Sequence, residues 1–309
     1  MMQPYDVVII GGGPAGLTAG LYAGRARLRT LILDLGLPGG QLLNTERIED
    51  YPGFEAIDGR DLAKRLEGQT RKFAVDIKMS EVLEVAAEGE RKRVVTADDT
   101  YVAGAVIVAA GGKPQKLDVP GEAELAGRGV SYCAICDGPF FQDQTIAVVG
   151  GGNTAVEEAD YLTRFAKQVY IIHRRQQFSA QRIAQERALS NPKIEVLWNT
   201  VVTAILGEQG VRAVRLRSVD GGAERELAAE GVFIFIGFTP NRIKEHAKHD
   251  VLGYFLTDER METSIPGIFA VGDIRAQPVR QLTNAVADGT VAAIMAQKHV
   301  EEHGSARTS

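Results

Sequence analysis

Two stretches of the chain carry the same hydrophobic pattern. Tyr5–Ile10 (YDVVII) is an apolar run too short for a helix and bounded by glycine, the pattern of a strand buried on both faces. It passes into Gly11-Gly12-Gly13-Pro14-Ala15-Gly16 and a helical stretch to about Ala26. Proline stands at the start of that helix, where its missing N–H costs nothing. A second apolar strand, Thr30–Leu33, ends at Asp34. Far downstream Thr145–Val149 leads into Gly150-Gly151-Gly152-Asn153-Thr154-Ala155, then a helix to about Ala166 and the strand Val169–Ile172, ending at His173. Gly11, Gly13, Gly16 and Asp34 map onto Gly150, Gly152, Ala155 and His173 with one constant offset. Each copy continues into a turn-punctuated meander, Glu81–Val102 and Thr200–Ala228, and closes on a buried strand before glycine, within 105–112 and 231–238. The pattern predicts an α/β chain of two Rossmann-like dinucleotide-binding domains, each with a parallel sheet and a β-meander.

Composition agrees with that size and class. A chain of 309 residues holds about two domains at roughly 150 residues each. Hydrophobic residues at 45% and charged residues at 24% exclude disorder, collagen and coiled coil. The 34 glycines exceed the roughly 22 expected and cluster in short runs, as tight turns and close backbone approach require. A net charge of −5 gives no electrostatic footprint for nucleic acid. The first ten residues lack a basic segment and enter a strand, so no signal peptide is expected, and no apolar run approaches the roughly 20 residues that span a bilayer. The expected compartment is the cytoplasm.

A lone GxGxxG is a weak signal, because any strand can meet a helix through glycines. Here each copy follows a strand, opens a helix and meets a distinctive residue about 20 positions on. The glycines let backbone N–H groups approach a pyrophosphate at the positive end of a helix. Asp34 stands where a carboxylate accepts hydrogen bonds from an adenosine ribose and repels a 2′-phosphate, which suits FAD or NAD. The second copy carries His173-Arg174-Arg175 at that place. Two guanidiniums suit a 2′-phosphate and hence NADPH, although a solvated basic strand end reads the same way in isolation.

The only two cysteines, Cys133 and Cys136, lie between the glycine loops. A CxxC can be half a zinc site, but zinc needs four ligands and there is no second CxxC. His246 and His249 sit on a charged segment without acidic or thiol company and read as surface residues. Two unrelated thiols stay the bland reading; the functional one is a thiol–disulfide pair, in which one thiolate attacks and the other resolves, with Asp137 adjacent to shuttle the proton.

Taken in order, GGGPAG (11–16), GGQL (39–42), YPGF (51–54), GRGVSYCAICDG (127–138), GGGNTAVEEA (150–159), IHRR (172–175), IGFTPN (236–241) and SIPGIFAVGD (264–273) closely resemble the low-molecular-weight, bacterial-type thioredoxin reductases. The resemblance covers nearly the whole chain. It implies a discontinuous FAD-binding domain, 1–113 and 242–309, with an NAD(P)H-binding domain, 114–241, inserted into it and carrying the CxxC. It implies FAD held by Gly11, Gly13, Pro14, Ala15 and Gly16, by Asp34, Gly40 and Gln41, by Asp50 and Val82, and by Gly272, Asp273, Arg280, Gln281 and Leu282. NADPH would be held by Gly150, Gly152, Asn153, Thr154, Ala155, His173, Arg174 and Arg175. Within the resemblance Cys136 lies nearer the flavin, Cys133 exchanges with thioredoxin or a thioredoxin-like protein, and Asp137 is the acid and base. Arg128, Phe140 and Phe141 match docking positions for that partner, with core packing the competing reading for the two phenylalanines. A homodimer, and a rotation of the inserted domain about its two linkers during the cycle, are implied as well.

Three positions depart from the family pattern. Ser179 replaces a further arginine, Asp50 an asparagine and Ala110 a threonine. The first weakens the expected discrimination against NADH unless Arg182 substitutes from the next turn. Asp50 would add negative charge near the flavin and lower its potential. Rival readings are a dithiol oxidase passing electrons to oxygen, a reductase fed by NADH or a non-nicotinamide donor, and a non-catalytic redox or nucleotide sensor.

Overall fold

The computed structural model describes residues 5–45 and 47–303. Of the tail 301–309, expected to fray, residues 301–303 complete the last helix, Leu282–His303, and the rest lies outside the described residues. The chain divides into two compact units, one running up to Lys113 and again from Thr239, the other Pro114–Phe238. No helix among the described residues is long and apolar enough to cross a membrane.

In the first unit the strands run in the order Asp76–Met79, Thr30–Asp34, Tyr5–Ile10, Thr100–Val108, Arg91–Thr96, Val82–Glu88, with Ile268–Ala270 also paired to Thr100–Val108. The unbroken apolar runs have a simple cause. Val7 and Ile9 enter one core with Leu17 and Ala293, while Val8 and Ile10 enter another with Leu31, Val106 and Phe255. A strand buried on both faces leaves no polar row to alternate with.

The second unit has a five-stranded, wholly parallel sheet ordered Val130–Ser131, Gly231–Phe235, Thr145–Gly150, Gln168–Ile172, Ile194–Leu197. One face carries the helix Asn153–Leu162 through Val156 and Ala159, and the other packs against Val202, Val214 and Leu216 of the meander.

The two meanders are built differently. In the first unit Thr100–Val108 is one continuous strand. It pairs antiparallel with Arg91–Thr96 over its first half and parallel with Ile268–Ala270 over its second, so meander and core share a sheet. In the second unit Arg225–Ala228 and Gly231–Phe235 are separate strands, and the meander is a sheet of its own. The break falls at Glu230, whose N–H donates to the Thr145 carbonyl at 2.8 Å while its carboxylate accepts from the Thr145 N–H at 2.9 Å. Both bonds turn the chain onto the parallel sheet.

Two charged groups sit where the pattern gives no warning. His249, read above as lacking acidic company, has Nε2 3.2 Å from the Glu245 carboxylate and its ring 4.4 Å from that of Phe255. Its partner lies one helical turn back in sequence on a segment that is not a helix, so spacing alone did not mark the pair. Lys92 occupies the inward row of Arg91–Thr96 with Val94 and is 2% exposed. Its ammonium donates to the Glu90 carbonyl at 3.0 Å, and burial pushes its pKa down, opposed by the Glu262 and Glu90 carboxylates. Nearby, His299 Nε2 is buried with no hydrogen-bond partner among the described residues.

Because the folded state holds the Lys92 proton less tightly than the unfolded chain, protonation of this group favours unfolding. Stability should therefore rise as pH climbs towards 10.5. Lys92→Met, which removes the buried charge at similar volume, is expected to raise unfolding stability at pH 7 by about 1–3 kcal/mol and to flatten that alkaline rise. Urea unfolding of both proteins at pH 7 and pH 10 measures this; a destabilised Lys92→Met would show that the ammonium holds the loop around Glu262 together.

Candidate active site

Four glycines shape the first strand-to-helix turn, and each has its own reason to lack a side chain. Gly11 has φ +104°, and a Cβ there would fall 2.3 Å from the Ala109 carbonyl oxygen. A Cβ on Gly16 would fall 1.8 Å from the Gly11 carbonyl oxygen, so the helix could not close on the strand. Gly13 is different. Its Cβ would meet only Gly40 Cα, at 3.9 Å, so the N-terminus of helix Pro14–Arg25 is left open to a ligand. The middle residue, Gly12, admits Asp34: its N–H donates to Asp34 Oδ2 at 2.5 Å, and a Cβ would sit 2.6 Å from that oxygen. Gly36 N–H donates to Asp34 Oδ1 at 3.2 Å, which fixes the carboxylate beside the loop. Gly40, with φ +55°, follows closely, and Gln41 Nε2 donates to the Gly112 carbonyl at 3.4 Å.

Gly272–Asp273 reaches the same loop from the end of strand Ile268–Ala270. Gly272 has φ +70°, and its Cβ would lie 3.2 Å from that of Ala15. Its N–H donates to Asp288 Oδ2 at 3.0 Å and its carbonyl accepts from Gln277 Nε2 at 3.0 Å. Asp288, almost fully buried in the last helix, also pairs with Arg275 at 3.2 Å. Nothing in the sequence pattern flagged Asp288, Gln277 or Arg275; a carboxylate within the apolar helix AVADGTVAA was the available signal. Burial pushes the Asp273 carboxyl above its ordinary value and the Arg280 guanidinium opposes it. Arg280 lies 4.2 Å from the Tyr254 ring centroid. Gln281 and Leu282 are half-buried where the last helix begins, Val82 is half-buried, and Asp50 is exposed. Ala110 offers its carbonyl to Asn241 Nδ2 at 2.7 Å.

The second turn repeats the first three glycines of the first and replaces the fourth. Gly150 has φ +151° and its Cβ would fall 2.2 Å from the Phe235 carbonyl oxygen, whereas one on Gly152 would meet only Ser179 Oγ at 3.9 Å. Ala155 replaces the fourth glycine and is fully buried. Gly151 admits His173 as Gly12 admits Asp34, for a Cβ would lie 2.3 Å from the imidazole. His173 is buried, donates from Nε2–H to the Gln177 carbonyl at 3.1 Å, and packs near Phe178 and Trp198. Burial pushes its pKa down, helped by Arg175 and Arg174, so the ring is neutral at pH 7. Positive charge at this edge therefore comes from the exposed Arg174 and Arg175.

Above the turn lies a cavity of about 650 Å³ lined by Gly150–Ala155, His173–Arg175, Ser179, Tyr132, the segment Pro114–Leu117 and Ile236–Phe238. Ser179 Oγ donates to the Gly151 carbonyl at 3.2 Å. Arg182, the possible substitute for the missing arginine, begins the helix Arg182–Ser190 and does not line the cavity. Asn153 Oδ1 accepts from Gln181 N–H at 2.7 Å, and Thr154 is exposed.

The dithiol lies in the same unit. Cys133 and Cys136 form a disulfide with their Cα atoms 5.4 Å apart, across the short helix Ala134–Asp137. Cys133 Sγ accepts from Cys136 N–H at 3.2 Å, and Ser131 Oγ accepts from Cys133 N–H at 3.0 Å. Cys136 is exposed; Cys133 and Asp137 are half-buried. The structure separates the two phenylalanines. Phe141 is buried with its ring 5.2 Å from that of Phe233, while Phe140 is 76% exposed. Arg128 is exposed and donates to the Glu124 and Glu208 carbonyls. Beside the disulfide, Tyr132 donates its hydroxyl to Glu122 Oε1 at 2.6 Å, a pair that the motifs did not announce. Burial, then the Glu122 carboxylate, push the Tyr132 phenol far up, so it stays protonated.

A family model described as pyridine nucleotide-disulphide oxidoreductase matches residues 5–289. The chain is 48% identical over 301 residues to the thioredoxin reductase of Bacillus subtilis, covering 96% of this chain and 95% of that one. It is 46% identical over 301 residues to the thioredoxin reductase of Listeria innocua, covering 96% and 94%. Among solved structures, the thioredoxin reductase of Lactococcus lactis superposes with a TM-score of 0.95 at 44% identity, over 96% of this chain and 99% of that one.

The glycines allow a clean contrast. Gly152→Ala is expected to leave unfolding stability within about 0.5 kcal/mol, as for a substitution that meets open space. Gly151→Ala must displace the imidazole of His173 and should cost about 1–3 kcal/mol. Chemical denaturation followed by the fluorescence of Trp198, which lies in the same unit, distinguishes the two; equal costs would contradict the packing described.

Proposed function

The chain belongs to the pyridine nucleotide-disulphide oxidoreductase family, and from that premise we propose that it works as a thioredoxin reductase, an enzyme passing electrons from NADPH through FAD to the Cys133–Cys136 disulfide and on to thioredoxin or a thioredoxin-like protein. The observation that carries this reading is the presence, in one chain, of a redox disulfide and two strand-to-helix turns edged by opposite charge. FAD fits the first turn. Gly13 leaves a cradle that a Cβ would fill, Pro14, Ala15 and Gly16 form its floor, and Asp34 presents carboxylate oxygens where a ribose needs acceptors. Gly272, Asp273, Arg280, Gln281 and Leu282 complete that set, with Gly40, Gln41, Asp50 and Val82. NADPH fits the second turn, where Gly150, Gly152, Asn153, Thr154 and Ala155 take the pyrophosphate and Arg174 and Arg175 the 2′-phosphate. A bound flavin supplies two-electron exchange between nicotinamide and disulfide.

The chain's own residues supply the thiol chemistry. Cys136 N–H aimed at Cys133 Sγ favours a thiolate on Cys133 once the disulfide is reduced. That thiolate attacks the partner's disulfide, forming a mixed disulfide and releasing one partner thiol; Cys136 then displaces the second and restores the Cys133–Cys136 bond. Asp137, next in the chain, takes and returns the proton. Exposed Phe140 and Arg128 suit contact with the partner protein, whereas Phe141 belongs to the core. His173, neutral and enclosed, adds no charge to this edge. We assign the protein to the cytoplasm as a homodimer on the same footing.

Ser179 favours a second reading of the electron donor. Its hydroxyl is spent on the Gly151 carbonyl and adds no charge to the cavity, so NADH use should be measurable. Anaerobic titration of the flavin-loaded enzyme with NADPH is expected to bleach the flavin with uptake of about four electrons per chain, for one flavin and one disulfide. Cys136→Ser should lower the uptake to about two and abolish turnover of thioredoxin. Ser179→Arg should raise the preference for NADPH over NADH by about fivefold to tenfold, as one added charge-assisted phosphate contact would. Absence of bleaching by either nucleotide would move the donor outside the nicotinamides.

A further inference from the structure

One wall of the nucleotide cavity is explained by neither the glycine turn nor the arginines. All five strands of the second unit's main sheet are parallel, so their C-terminal ends share one edge, the edge at which open α/β sheets bind ligands. Along that edge the strand ends run Leu197, Ile172 (with His173 next in the chain), Gly150, Phe235 and Ser131. On the reading of the cavity as a pyridine-nucleotide site, the adenosine and its 2′-phosphate lie at His173–Arg175 and the pyrophosphate at Gly150–Gly152. The nicotinamide half must then continue the same way, across the next two strand ends. Two strand spacings of about 4.8 Å carry it to the place where Tyr132 follows Ser131.

Tyr132 is held there by a buried device. Glu122 is 2% exposed, and it accepts from Tyr132 Oη at 2.6 Å and Leu117 N–H at 3.0 Å through Oε1, and from Asp118 N–H at 2.6 Å through Oε2. Tyr132 and Leu117 both line the cavity, so one carboxylate bolts two parts of its wall together. A buried carboxylate is kept where its hydrogen bonds fix a geometry, since burial alone opposes it. The residue after Tyr132 is Cys133, whose N–H is tied to Ser131 Oγ. The wall thus ends at the redox pair.

We infer that Tyr132 contacts the nicotinamide half of the nucleotide with its ring, and that Glu122 is the positioning residue that holds it there. The inference rests on the NADPH reading of the cavity, and two probes keep the failures apart. In calorimetric titrations of the oxidised, flavin-loaded enzyme, NADP⁺ carries both halves of the nucleotide and 2′,5′-ADP only the adenosine half. Tyr132→Ala is expected to weaken NADP⁺ by about threefold to tenfold, the range of one lost aromatic contact, and to leave 2′,5′-ADP within about twofold. Tyr132→Phe keeps the ring and loses only the bond to Glu122. With the ring no longer held, it should weaken NADP⁺ measurably but less than Tyr132→Ala does, and leave 2′,5′-ADP within about twofold, with circular dichroism reporting that both variants are folded. A misfolded Tyr132→Ala leaves Glu122→Gln as the second variant, expected to weaken NADP⁺ alone. Equal weakening of both probes would make the pair merely structural, and unchanged binding of both would remove the contact; either overturns the inference. A wild-type enzyme that bound neither probe would overturn the nucleotide reading and the inference with it.

Discussion

The proposed binding chemistry of this chain hangs on two strand-to-helix turns, each closed so tightly at its first glycine that a methyl group would not fit there. At Gly11 a Cβ would stand 2.3 Å from the Ala109 carbonyl oxygen, and at Gly150 it would stand 2.2 Å from that of Phe235. Closing the turn to that degree brings the first turn of a helix against the end of a strand and aims its unpaired N–H groups outward. Any looser turn would move those donors away from the strand end that carries the selecting side chain. The parallel sheets, the two-faced apolar strands and the helices on them serve to hold that one geometry twice.

Within a shared geometry, a single position decides what each turn can accept. Asp34 and His173 occupy equivalent places, each admitted by a middle glycine that lacks the Cβ it would strike. Asp34 brings negative charge to backbone donors and offers acceptors to a ribose. His173 brings none, because burial keeps it neutral, and the guanidiniums of Arg174 and Arg175 set the sign of the field. On the proposed reading, the difference between the two nucleotides follows from one carboxylate against two adjacent cations.

The disulfide shares its sheet edge with the second nucleotide turn, which gives the unit a directional layout. Gly150 ends one strand and Ser131 another of the same parallel sheet, and Cys133 follows Ser131 by two residues. Glu122 stiffens the stretch between them by holding Tyr132 and Leu117 together. Phe140 and Phe141 show how the neighbourhood is divided: adjacent in sequence, one turns into the core against Phe233 and the other stays in water. Neighbouring residues beside the disulfide are thereby split between core and solvent.

The sequence by itself determined the elements that repeat a local rule. Strand, glycine turn and helix were legible twice because apolar periodicity, proline at a helix start and glycine at forced φ are properties of a few consecutive residues. The roles of Gly11 and Gly150, the opposed charges at Asp34 and Arg174–Arg175, and the pairing of Cys133 with Cys136 could all be read in this way. Only the tertiary structure decided which of Phe140 and Phe141 is buried, that Lys92 lies in an apolar row, that His249 has Glu245 for a partner, and that the first meander joins its core sheet while the second stands apart. It alone revealed Asp288 holding Gly272 and Glu122 holding Tyr132. These are single contacts between segments that no period relates. Whether a carboxylate finds a backbone N–H across a loop depends on how whole elements pack, and packing is fixed by the sum of all buried surfaces rather than by any window of the chain.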